Sequence, residues 1–154
     1  MTDINVEEFF KDSAKILTTL YLVFPRRHTL FVADVCGPEE PDEFGMHSER
    51  YLSCLGTLLW LGEEGYLRFE ETVRFEAIDQ AILTGRCFTL LSSPTRTSLE
   101  LGLRTDDSTL PISERLEQAT AIHHIRHALN ERSSTMLRIV MMDLMLQMND
   151  RNPV

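Results

Sequence analysis

The chain has 154 residues, 43% of them apolar, and its 15 Lys and Arg stand against 24 Asp and Glu for a net charge of −9. That length suits one ordinary core with a helical appendage, and it excludes a set of large independent domains. A net negative charge repels a polyanion at long range, so contact with nucleic acid requires a local basic patch, and the sequence holds no long basic run.

From Val6 to Phe24 apolar residues fall at Val6, Phe10, Ala14, Leu17, Leu20, Tyr21 and Phe24, the spacing of one face of an amphipathic helix. Glu7 and Glu8 in its first turn favour the helix dipole, and Pro25 ends it. The segment HTLFVADVCG that follows is short; Asp34 within it and Gly37 at its end favour a short helix. Residues 37–47, GPEEPDEFGMH, hold two Pro, two Gly and four acids in eleven positions, a composition that makes a loop.

Ser48 is a good N-cap with Glu49 behind it. The spacing predicts a second long helix over 48–62, with Tyr51, Leu52, Leu55, Leu58 and Leu59 inward and an end near Gly62 or Gly65. Tyr66–Phe69 and Val73–Ala77 then suit a short antiparallel pair across the reversal EET. Thr84 is placed to cap a helix running through Leu91.

Residues 92–111 read as a polar connector, the one plausible boundary, so that 1–91 form one domain and 112–150 a C-terminal helical hairpin. Within the hairpin, Ile112 to Leu129 is helical with Ile112, Leu116, Ala119, Ile122, Ile125 and Leu129 inward. The last segment, TMLRIVMMDLMLQM, is apolar around most of a helix, which calls for burial on several sides. Homodimerisation through Leu137, Val140, Met141, Leu144, Met145 and Met148 is the expected way to bury it.

The stretch TLLWLGEEGYLRF, residues 57–69, resembles the recognition-helix-to-wing junction of winged helix-turn-helix proteins. AILTGRCFTLL, residues 81–91, is similar to the Leu-Thr-x-x-Gly helix start that often follows the wing, with Cys87 where many relatives have Gly. The likeness covers about residues 6–91 at the level of the fold. It implies an α+β, mostly helical fold: a winged helix-turn-helix with a small β-wing plus the C-terminal hairpin. The loop at 37–47 stands where such proteins have a tight turn between the second and third helices.

What the resemblance implies for function is a DNA-binding, transcription-regulatory homodimer. Groove contacts would come from Ser48, Arg50, Ser53 and Thr57 on the third helix, from Arg68 and Arg74 at the wing, and from Arg26 and Arg27 beside the second helix. Arg bonds guanine bidentately and hydroxyls suit phosphates. The alternative is a winged-helix protein-interaction module with an acidic surface that binds another protein and no DNA. A surface map of charge separates the two: a contiguous Arg patch over the third helix and wing, against an acidic or mixed face.

His123 and His127 share a helix face, but two imidazoles without a further ligand nearby are not a metal site, and no metal or other cofactor is expected. The chain has no GxSxG, glycine-rich phosphate loop or paired-Cys motif, so no enzyme is expected. Cys36, Cys54 and Cys87, odd in number and set among apolar residues, read as free thiols of a reducing compartment. The N-terminal MTDINVEEFF lacks the character of a secretory signal and no apolar run spans a bilayer, so a cytoplasmic location and no membrane partner are expected.

Overall fold

The structure, a computed structural model, describes residues 3–95 and 111–150. It is α+β and mostly helical, and it divides into two compact units, Met1–Thr84 and Gly85–Val154. Most of the expected connector, residues 96–110, lies outside the described residues, and the helix Gly85–Leu91 groups with the C-terminal unit.

The first unit runs α1 (Ile4–Val23), β1 (His28–Phe31), α2 (Val32–Cys36), α3 (Glu49–Glu63), β2 (Leu67–Arg68), β3 (Glu71–Val73) and β4 (Ala77–Leu83). α1 buries Phe10, Ala14, Ile16, Leu17 and Leu20, and also the polar pair Asp12 and Ser13. Each fully buried Leu or Ile contributes about 1.5–3 kcal/mol relative to exposure. Ser48 caps α3 by accepting from the Tyr51 amide at 3.2 Å. The helix stops at Gly65, whose φ of +83° an L side chain rarely adopts. There the Tyr66 amide donates to the Leu61 carbonyl at 2.9 Å and the Gly65 amide to that of Gly62 at 3.3 Å, the paired bonds of a Schellman end.

β4 is the central strand, antiparallel to β1 on one side and to β3 and β2 on the other. From His28 to Leu30 in β1 the partner on β4 moves from Ala81 to Ile78, three residues against two, which marks a bulge. Gln80 within it takes a φ of +57°. The Thr29 hydroxyl donates to Asp79 at 2.7 Å beside it.

Three expectations change here. The segment HTLFVADVCG is half strand and half helix, because His28–Phe31 finds a partner in β4 that lies far off in sequence. Leu67 and Arg68 pair with Leu83 and Ile82 rather than with 73–78, and the hairpin turns at Arg74–Phe75 rather than at EET. Residues 71–73 can be a polar strand because all three are exposed, while Ala77, Ile78, Ala81 and Leu83 supply the core-facing strand. Leu52, expected inward, is 50% exposed.

The second unit comprises α4 (Gly85–Leu91), α5 (Ile112–Gln118), α6 (Ala121–Asn130) and α7 (Ser134–Asn149). The helix expected over 112–129 is two helices, since Thr120 caps a new one by accepting from the His123 amide, and Ile112 and Leu116 are exposed. α6 ends in a second Schellman pair, Ser133 amide to Ala128 carbonyl and Arg132 amide to Leu129 carbonyl, with Arg132 at a φ of +53°. The side chain of Arg86 on α4 donates to the terminal carbonyls of α7 at Gln147, 2.7 Å away, and at Asp150.

Leu137, Val140, Met141, Leu144, Met145 and Met148 are all buried inside the protomer, where α7 packs on α6 and α4. They are core and not the dimer surface expected of them; the outward apolar residues of α7 are Met142 and Leu146. Within the C-terminal unit, α6 and α4 cover this face of α7.

His124 on α6 is 6% exposed, and its Nε2 has no hydrogen-bond partner among the described residues. Burial, then the neighbouring His123 and His127, hold its pKa below the ordinary 6.5. The folded state therefore keeps a neutral ring that the unfolded chain protonates. The resulting stability is present above 6.5 and lost as pH falls below it. Thermal melts between pH 7.5 and 5.5 should show a fall in Tm that His124→Leu flattens; equal slopes in the two proteins would refute the assignment.

Candidate interaction surface

The third helix and the hairpin after it present the surface on which the sequence placed nucleic-acid contacts. Ser48 is exposed, but its hydroxyl and amide both donate to Glu39, at 2.6 and 2.7 Å, and this pins the acidic loop to the start of α3. Those bonds hold the Glu39 carboxyl below its ordinary range. Asp42 accepts from the amides of Phe44 and Met46 at 2.9 Å, a second local tie in the same loop.

Arg50 turns away from the surface. Its two terminal nitrogens donate to the two oxygens of Asp12 on α1 at 2.7 and 2.6 Å, and Glu8 lies 3.8 Å from its Nε. The Asp12 side chain is 1% exposed and that of Arg50 31%, so the carboxylate is shielded from water and the guanidinium only in part. Asp12 holds the guanidinium above its already high ordinary range. Thr57 is 5% exposed and its hydroxyl donates to the Ser53 carbonyl at 2.9 Å, so it belongs to the core and not to a contact surface. Ser53 is exposed.

Arg26, Arg27, Arg68 and Arg74 are exposed, and no ion-pair partner is found for them among the described residues; Arg27 reaches the Gln80 carbonyl at 3.5 Å. The hairpin tip is built from Arg74 and Phe75, with φ of +50° and +59°, closed by a bond of 2.8 Å from the Glu76 amide to the Val73 carbonyl. Two successive left-handed residues make a turn of the I′ kind, for which Asn-Gly is the low-strain choice. Phe75 is 71% exposed, and its carbonyl accepts from the Tyr51 hydroxyl of α3 at 3.0 Å. His47 stacks on the same Tyr51 ring with centroids 3.8 Å apart.

The residues that face outward on α3 are Glu49, Leu52, Ser53, Gly56, Trp60 and Glu63, with Leu59 half-buried among them. Sequence reasoning missed Leu52, Gly56 and Trp60 because it assigned the whole leucine-rich run to the core. The signal that could have found them is Asp12: an acid in the apolar register of α1 needs a cation, and Arg50 is the residue that satisfies it.

His123 and His127 lie with parallel rings, centroids 6.4 Å apart, and no group of three or more metal-ligating side chains occurs among the described residues. The three cysteines are free, Cys54 and Cys87 buried and Cys36 half-buried; burial pushes the Cys87 thiol up to about 12 and Cys54 up likewise. No described helix is long and apolar enough to cross a membrane. The chain matches no family model, no curated protein and no solved structure.

Two outcomes test this geometry. Asp12→Ala strands a half-shielded guanidinium and should lower the unfolding free energy by about 2 kcal/mol in urea titration; a loss below the error of the fit would mean the pair orients nothing. Replacing Arg74 and Phe75 with Asn and Gly should relieve the turn and raise stability by about 1 kcal/mol. An unchanged urea midpoint would show that the tip carries no strain.

Proposed function

We propose that residues 3–84 are a winged helix-turn-helix domain that serves as a protein-interaction module. The order helix, strand, helix, helix, hairpin supports the winged-helix part, together with a last strand, β4, that lies between β1 on one side and β2 and β3 on the other. The single observation that carries the interaction part is the engagement of Arg50 by Asp12 and Glu8. It leaves the outer face of the third helix apolar and acidic, with Glu49, Leu52, Trp60 and Glu63 where a groove-reading helix needs donors and cations. Glu70, Glu71 and Glu76, exposed and close in sequence to Arg68 and Arg74, dilute that patch as well.

A second reading, phosphate contact by the arginines near the hairpin and in the α1–β1 turn, is favoured by the exposure of Arg26, Arg27, Arg68 and Arg74. Fluorescence anisotropy with labelled duplexes of mixed sequence at low ionic strength separates the two. The interaction module predicts no saturable binding up to tens of micromolar protein. Binding that weakens steeply with salt and is lost in Arg68→Ala with Arg74→Ala would overturn it in favour of DNA.

A further inference from the structure

We infer that the outward stripe of α3 is a dock for an amphipathic helix of another protein, one whose apolar face is flanked at both ends by Lys or Arg. This rests on the interaction-module reading and specifies the partner's chemistry.

Leu52, Gly56, Leu59 and Trp60 recur at i, i+4, i+7 and i+8, so they form a ridge along one side of α3. A ridge at that spacing is what the grooves of a second helix accept. Leu52 is 50% exposed and Trp60 36% exposed, large apolar groups left on the surface by the protein's own packing. Trp60 is also held in place: the Phe9 ring of α1 meets it edge-on at 5.2 Å, and the Tyr66 ring lies tilted at 5.7 Å. A rigid, half-exposed Trp loses little entropy on docking, which is what makes such residues interface anchors.

Gly56 is the second observation. It sits in the middle of α3, where glycine is the least favourable residue after proline, yet a Cβ placed on it meets nothing within 4 Å. Nothing inside the protomer requires the missing side chain. It leaves a notch between Leu52 and Trp60 that lets a partner's backbone come close, because the distance between packed helices is set by the side chains at the contact.

Charge selects the occupant. Glu49 stands at one end of the ridge and Glu63 and Glu64 at the other, all exposed, and the sole cation of α3, Arg50, is engaged by Asp12. A helix with basic ends meets both acidic ends. A second copy laid antiparallel would set Glu49 against Glu63 and Glu64, in a chain whose net charge is −9, and is therefore disfavoured.

Trp60 is the only tryptophan, so its emission reports the site directly in the full chain. The probes are three synthetic helical peptides of about four turns. One carries a Leu stripe with Lys at both ends, one the same stripe with Glu ends, and one Lys ends with the stripe scrambled. The Lys-ended stripe should shift Trp60 emission to the blue saturably, with the other two at least tenfold weaker. Leu52→Lys and Gly56→Leu should each reduce its affinity tenfold or more with unchanged circular dichroism, since neither position is packed inside the protomer.

No saturable shift with the Lys-ended stripe, or equal binding of the Glu-ended or scrambled peptide, overturns the inference. So does a blue shift in the protein alone that accompanies a doubling of its mass in light scattering, which would make a second copy the occupant. Any of these results without duplex binding leaves the interaction-module reading standing. Salt-sensitive duplex binding sinks that reading itself.

Discussion

The ion pair between Asp12 of α1 and Arg50 of α3 is the constraint on which the first unit turns. A carboxylate held inside a protein is stable there only when its charge and its lone pairs are met, and the Arg50 fork meets both oxygens of Asp12. Such a pair adds little stability compared with two well-packed apolar residues, but it is intolerant of misplacement. It therefore sets the rotation of α3 about its own axis. Once Arg50 faces α1, Tyr51, Cys54, Leu55, Leu58 and Leu61 fall into the core, and Leu52, Gly56 and Trp60 fall outside.

The hairpin and the acidic loop are tied to the same helix. Tyr51 bonds the Phe75 carbonyl at the hairpin tip and stacks with His47, and Ser48 and Glu39 lock the loop to the first turn. Loop, helix and hairpin thus meet at the first turn of α3. The outward faces of α3 and of the tip, with Trp60 and Phe75, are presented by elements whose backbone positions are fixed by buried or bonded groups. That is the arrangement a preformed binding surface needs, because ordering it on contact would subtract from affinity. The strained Arg74–Phe75 turn is consistent with a tip held for its side chains rather than for ease of folding.

The C-terminal unit solves a different problem. α7 carries too many apolar residues for a helix with one buried face, and α6 and α4 cover most of them. The Schellman end of α6 and the cap by Ser133 at the start of α7 make the tight connection that lets two successive helices pack face to face. His124 is the polar residue that this packing leaves poorly served.

Signals that act within a few residues were legible from the chain itself. The amphipathic run of α1, the composition of the 37–47 loop, the cap at Ser48 and the stop at Gly65 each depend on neighbours in sequence, and each lies where those residues put it. The split of HTLFVADVCG into strand and helix, the pairing of Leu67 with Leu83 and the central place of β4 depend on partners far off in sequence, and short apolar runs do not say which partner they will find. Arg50 shows the difference most sharply. Its position on an early turn of the third helix suggested a base-reading side chain, yet a carboxylate 38 residues earlier claims it. Helix periodicity records that a face is apolar, but which way the helix is turned is decided by the buried charge it must satisfy, and only the assembled tertiary structure brings that charge within reach.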